Sequence, residues 1–134
     1  MINLNQIVAV VDDDESVCRS IERLLRAVGV KAETFSSGEE FLSKLSSTAW
    51  DQPACVILDF QMPGINGLEL QLRLAAVSVP VIFITAHDDP AVREKALASA
   101  AAGYLRKPFN GAVLVKTVEI VLGGTPIPID RSTP

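Results

Sequence analysis

The chain has 134 residues, 49% of them hydrophobic and 21% charged, and its 12 basic against 16 acidic side chains give a formal charge of −4. This suits one globular domain and excludes a disordered or collagen-like chain, a basic face that neutralises nucleic-acid phosphates, and a membrane span of ~20 apolar residues. Two Cys inside apolar patterns, and an N-terminus with no basic stretch before an apolar one, read as buried thiols of a cytoplasmic protein.

Apolar runs and amphipathic segments alternate along the chain. Residues 7–11 (IVAVV) form a β-branched run, the pattern of a strand covered on both faces. Val17, Ile21, Leu24, Leu25 and Val28 then recur at helical spacing, and Gly29 is a C-terminal stop. A short strand is expected over 31–35. Ser37 with Glu40 forms a capping box for a helix carrying Phe41, Leu42 and Leu45. Residues 54–58 and 80–84 are the third and fourth strands. Between them Leu68, Leu70, Leu72 and Leu74 alternate as a half-buried strand would. Asn66 with Glu69, and the helix preference of Leu and Glu, make that segment a helix instead. Asp89 and Pro90 open a helix to about Ser99, residues 103–105 form a fifth strand, and Asn110 caps a last helix bearing Leu114, Val118, Val121 and Leu122. Five β/α units imply a single doubly wound parallel sheet with right-handed crossovers and helices on both faces. The ordered domain is expected over about 5–123, and the Gly- and Pro-rich 124–134 as a flexible tail or cut linker.

Ligands of open parallel sheets bind beyond the carboxyl ends of the strands. Here the first strand ends in Asp12-Asp13-Asp14, the third in Asp59 and the fourth in Thr85, with Lys107 near the end of the fifth. One such Asp would be an ordinary turn former; the set together describes a site. Crowded carboxylates repel unless a cation offsets them, and an all-oxygen cluster selects a hard divalent ion, Mg²⁺ above all. Lys107 and Thr85 add a point charge and a donor suited to phosphoryl oxygens, and one carboxylate could act as nucleophile, forming an acyl phosphate.

The segments Val10-Val11-Asp12-Asp13-Asp14-Glu15, Leu58-Asp59-Phe60-Gln61-Met62-Pro63-Gly64, Ile84-Thr85-Ala86 and Tyr104-Leu105-Arg106-Lys107-Pro108-Phe109 resemble, in order and spacing, the receiver domain of two-component response regulators. The resemblance covers residues 5–123 and is nearest to the subfamily with LuxR-type DNA-binding output domains. It implies a CheY-like, flavodoxin-like (βα)5 fold with strand order 2-1-3-4-5. It also implies a phosphorelay module, self-phosphorylating and self-dephosphorylating but not otherwise an enzyme, that controls transcription or stands alone in signalling. Asp59 would take the phosphoryl group from a histidine kinase. Asp12, Asp13, Asp59 and the Gln61 backbone carbonyl would hold Mg²⁺, and Lys107 would pair with the carboxylate. Thr85 and Tyr104 would switch together, the Lys107–Pro108 peptide would be cis, and Gln61 and His87 would flank the path of the hydrolytic water and tune its rate. The Ala-rich fourth helix, with the fifth strand and fifth helix, would form a partner or homodimer face; no nucleic acid and no membrane would be bound by this domain.

Several residues carry plainer expectations. Asp14 reads as the cap of the first helix, Cys18 and Cys55 as inert packing, and Trp50 as the cover of a loop; Ala100 stands where the family usually has Gly. A rival function is a haloacid-dehalogenase-type phosphatase using Asp12 and Asp14, but that family places its second acidic pair after the Lys, whereas Asp88 and Asp89 precede Lys107. A flavodoxin-like cofactor domain shares the topology, yet three Asp would repel a phosphate where a cradling loop should lie. A receiver that only docks is a third reading, opposed by the full residue set.

Overall fold

A computed structural model describes residues 6–47, 52–65, 67–86, 90–98 and 101–123. The elements are β1 (Ile7–Val11), α1 (Glu15–Ala27), β2 (Lys31–Phe35), α2 (Gly38–Leu45), β3 (Cys55–Asp59), α3 (Gly67–Ala75), β4 (Val81–Thr85), α4 (Pro90–Ala98), β5 (Gly103–Arg106) and α5 (Gly111–Gly123). All four strand pairings are parallel, in the order β2-β1-β3-β4-β5. This is the expected CheY-like, flavodoxin-like sheet. The chain leaves β1 toward β2 on one side and returns to β3 on the other. That reversal opens a crevice at the carboxyl ends of β1 and β3.

The β-branched runs fill the centre because both of their faces are covered. β3 and β4 are buried along their whole length, while the edge strands β2 and β5 are mostly not. Successive residues serve opposite layers: Ala9 and Val11 join Phe41, Leu70, Phe83 and Ala96 under α2, α3 and α4, whereas Val8 and Val10 join Ile21, Leu25, Leu114 and Val118 under α1 and α5.

Local signals explain the helix ends. Asp14 caps α1 by accepting from Ser16 N–H, as expected of it. Gly29, at φ +81°, closes the same helix: its N–H reaches Arg26 O at 3.0 Å and Val30 N–H reaches Leu25 O at 2.9 Å, satisfying two terminal carbonyls. Val28 therefore ends the helix at its C-cap and is exposed rather than part of the apolar stripe. Asn110 Oδ1 accepts from Ala112 N–H at 2.8 Å and Val113 N–H at 3.2 Å, starting α5. The alternating Leu segment is helical, and the helix sorts it: Leu70 and Leu74, one turn apart, are fully buried, whereas Leu72 is 63% exposed.

Strand limits differ slightly from expectation. β3 and β4 each begin and end one residue later than the apolar runs 54–58 and 80–84, so Asp59 and Thr85 are themselves paired in the ladder, opposite Ile84 and Arg106. The expected caps Asn66 and Asp89, the end of the fourth helix near Ser99, Trp50, His87, Asp88, Ala100 and the tail 124–134 lie outside the described residues. No helix among the described residues is long and apolar enough to cross a membrane.

The sorting of the Leu segment has a measurable consequence. Leu70→Ala should cost about 2–5 kcal/mol in urea unfolding, and Leu72→Ala less than about 0.5 kcal/mol. Similar losses from both would contradict helical packing of this segment.

Candidate functional site

The crevice gathers four of the residues singled out by their place at strand ends. Asp12 follows β1, fully buried, and its backbone N–H donates to Phe35 O at 3.1 Å. Asp59 closes β3 and is 5% exposed. Asp13 is exposed beside them, and one carboxylate oxygen from each of the three lies within 4.8 Å of the others. Lys107 arrives from the segment after β5, where its N–H donates to Thr85 O at 2.7 Å and the Lys107–Pro108 peptide is cis. Its Nζ stands 2.8 Å from Asp12 Oδ2 and 3.4 Å from Asp59 Oδ2.

Backbone donors satisfy the outer oxygens. Asp14 N–H donates to Asp12 Oδ1 at 2.8 Å, and Gln61 N–H to Asp59 Oδ1 at 3.2 Å. Asp12 Oδ2 is buried and receives no aligned hydrogen bond; the Lys107 ammonium is its close contact. Two buried carboxylates thus share one ammonium, and the remaining charge favours a further cation. The donor set is all oxygen, so the residues fit a hard divalent ion such as Mg²⁺.

Titration behaviour follows from this crowding. Burial, then the Asp12 charge, pushes the Asp59 carboxyl up to about 6, against the opposing pull of Lys107 and Gln61 N–H. Burial alone would lower Lys107, but its contact with Asp12 and the Asp59 and Asp12 charges leave it raised. Asp14 is held below the usual carboxylate range by the Ser16 hydroxyl and N–H. It belongs to the α1 cap and stands outside the three-carboxylate group, which does not favour the Asp12/Asp14 arrangement of a phosphatase.

The other expected residues surround this cluster. Thr85 is fully buried at the end of β4. Tyr104 lies half-buried on β5 opposite Phe83, with the Arg93 guanidinium 5.9 Å from its ring centroid. Its hydroxyl is buried with no hydrogen-bond partner among the described residues. Gln61 is exposed at the rim, and His87 is outside the described residues. A groove of about 510 Å³ opens beside Lys107, lined by Val17, Ser20, Ala86, Pro108 and Phe109 among others. Cys18 donates to Asp12 O at 3.4 Å, and burial together with the Asp12 charge pushes its thiol up to about 11; burial pushes Cys55 up to about 12. Both thiols are free and buried, as inert packing requires.

One residue of the site has a role that sequence alone does not assign. A Cβ on Gly67 would lie 2.8 Å from Asp59 O and from Phe60 Cα, so only glycine lets α3 start this close to the backbone of Asp59. Gly67 N–H donates to Phe60 O at 3.1 Å across the same approach. The available signal was a Gly in the first turn of a helix that its neighbours strongly favour.

Similarity to known proteins agrees with this geometry. The response regulator receiver domain family matches residues 8–119. Nodulation protein W of Bradyrhizobium diazoefficiens is 40% identical over 114 residues, 84% of this chain and 49% of that protein. Transcriptional regulatory protein FixJ of Azorhizobium caulinodans is 35% identical over 118 residues, 87% of this chain and 54% of that protein. The chain thus spans about half the length of these curated relatives. The crystal structure of a response regulator receiver protein from Burkholderia phymatum superposes with a TM-score of 0.82 at 59% identity, covering 93% of this chain and 100% of that one.

The raised Asp59 carboxyl sets a pH dependence. Its ionisation costs the folded chain nothing below the ordinary value of 3.8, an increasing amount as pH rises, and its full penalty above about 6. With divalent cations chelated, Asp59→Asn should therefore melt roughly 3–8 °C above wild type at pH 7.5, a gap that narrows toward pH 4. Equal melting at both pH values would remove the electrostatic conflict inferred here.

Proposed function

This chain belongs to the response regulator receiver family, and we propose that Asp59 is its phosphoacceptor, Asp12, Asp13, Asp59 and the Gln61 backbone carbonyl its Mg²⁺ site, and a histidine kinase its phosphodonor. The observation that carries this reading is the buried Asp12–Asp59 pair bridged by one lysine at the carboxyl edge of the sheet. An Asp59 carboxylate oxygen attacks the phosphorus; the oxygen–phosphorus bond forms as the donor's phosphorus–nitrogen bond breaks, and the leaving imidazole nitrogen takes a proton. When bound, Mg²⁺ supplies positive charge against the phosphoryl oxygens. Lys107, already shared by the two carboxylates, is free to turn from Asp59 to a phosphoryl oxygen without leaving Asp12. Thr85 contributes a hydroxyl donor from the end of β4, and Tyr104, whose buried hydroxyl lacks a partner among the described residues, follows Thr85 as the coupled switch.

The same reading gives the remaining roles. Gln61, exposed beside Asp59, and His87 tune attack by water on the acyl phosphate. Ala96 is the one fully buried residue among the described residues of α4, so this helix is weakly held and suited to move. Leu97 on α4 and Val113 on α5 are exposed, and the α4–β5–α5 face is a homodimer or partner surface in the phosphorylated state. Output is transcriptional in the manner of regulators with LuxR-type DNA-binding domains, and the domain itself holds no nucleic acid or membrane.

Acetyl phosphate with Mg²⁺ should add one phosphate per chain, absent in Asp59→Asn and slowed at least about tenfold in Asp13→Ala at low Mg²⁺. Full labelling of Asp59→Asn would overturn the assignment, and normal labelling of Asp13→Ala would overturn the metal site. Addition of beryllofluoride should shift sedimentation of the wild type toward a dimer; no shift, together with unchanged partner affinity, would remove the α4–β5–α5 surface.

A further inference from the structure

The loop after Asp59 is tied to a distant element by a single side chain. Glu39, in the first turn of α2, accepts from Ile65 N–H at 3.0 Å across 26 positions of sequence. Gly64 holds φ +80° beneath that carboxylate, and a Cβ there would stand 2.5 Å from Glu39 Oε2 and 3.0 Å from Oε1. Gly38 continues the seam, since its own Cβ would lie 2.9 Å from Leu70 Cδ1 and 3.4 Å from Ile65 Cβ. The loop's backbone is thus shaped around the carboxylate, beyond what chance contact of an exposed acid requires.

The mount of that carboxylate is rigid. Ser37 Oγ accepts from Glu40 N–H at 3.0 Å, and Glu40 Oε1 accepts from Ser36 N–H at 2.7 Å, a reciprocal cap that fixes the first turn of α2. One turn on, Phe41 is fully buried and packs edge-on against Phe35 at 5.4 Å. At the other end of the loop, Gln61 N–H is already committed to Asp59 Oδ1. The loop is therefore held at its start by Asp59 and toward its end by Glu39, with the Gln61 carbonyl between the two anchors.

We propose that Glu39 is a positioning residue for the metal site, holding the loop of residues 60–65 in the conformation in which the Gln61 carbonyl completes the Asp12–Asp13–Asp59 cluster. This rests on the ligand set proposed above. The plainer role for an acid in the first turn of a helix is to complement the helix dipole, which needs charge but not reach. A positioning role needs reach and an acceptor oxygen, and charge only secondarily. The two roles therefore order the conservative variants oppositely.

The test measures Mg²⁺ affinity by calorimetric titration without phosphodonor, together with hydrogen exchange of the Ile65 amide, in wild type, Glu39→Asp, Glu39→Gln and Asp13→Ala. Positioning predicts that Glu39→Asp, one methylene short, binds Mg²⁺ about tenfold more weakly and exchanges Ile65 faster, while Glu39→Gln stays within about twofold of wild type on both readouts. If both Glu39 variants weaken, faster Ile65 exchange in both supports the latch, and unchanged exchange overturns it. Wild-type affinity in Glu39→Asp, or a larger loss in Glu39→Gln than in Glu39→Asp with Ile65 exchange unchanged, leaves Glu39 only its charge and overturns the proposal. Asp13→Ala separates the two levels. Its loss of Mg²⁺ binding beside an unaffected Glu39→Asp removes the positioning role alone, whereas wild-type binding by Asp13→Ala removes the ligand set and the positioning role with it.

Discussion

Two carboxylates, Asp12 and Asp59, are taken out of water at neighbouring strand ends and left to share one ammonium, Lys107. At a few ångströms and in a medium less polar than water, like charges of this kind repel by several kcal/mol unless a counter-charge lies close. The conflict is not relieved by distance, because the parallel register of β1 and β3 fixes both backbones. It is relieved by protonation, which the raised carboxyl of Asp59 expresses, or by positive charge entering the crevice. A site built on that imbalance favours a divalent cation, and the chain's membership of the receiver family agrees with it.

The rest of the molecule keeps the conflict in place. β1, β3 and β4 have no face exposed to water, so they cannot yield to the repulsion by sliding. Gly67 lets α3 press on the carbonyl of Asp59, and the Asp14 N–H and Gln61 N–H hold the outer carboxylate oxygens. Rigidity here contrasts with α4, which buries Ala96 and little else. The division suits a signalling domain: a stiff edge where charge is gathered, beside a weakly held helix.

Much of this was legible in the sequence, for reasons that differ by element. The continuous β-branched runs, each followed by a polar residue, mark the sheet and the edge at which the carboxylates and Lys107 gather. Asp14, Ser37 with Glu40, Gly29 and Asn110 act within a few residues of themselves, so their effects could be read locally. The Leu alternation at 68–74 misled by period alone and was decided by helix preference, which the burial of Leu70 and Leu74 and the exposure of Leu72 support. The apolar runs stop one residue short of the strand ends, and nothing local shows that Asp59 and Thr85 still pair with their neighbours. The contacts of Gly67 with the Asp59 backbone and of Glu39 with Ile65 N–H depend on how separate elements pack. No window of sequence contains both partners of the second.

Without a divalent cation, Asp59 carries an unresolved electrostatic conflict. A carbon-13 NMR titration of the Asp59 side-chain carboxyl, with divalent cations chelated and then with saturating Mg²⁺, reads it directly. The expected midpoint is about 6 without the ion, falling below the ordinary carboxylate value of 3.8 with it. An ordinary midpoint without the ion, unmoved by Mg²⁺, would show that Asp59 carries no such conflict.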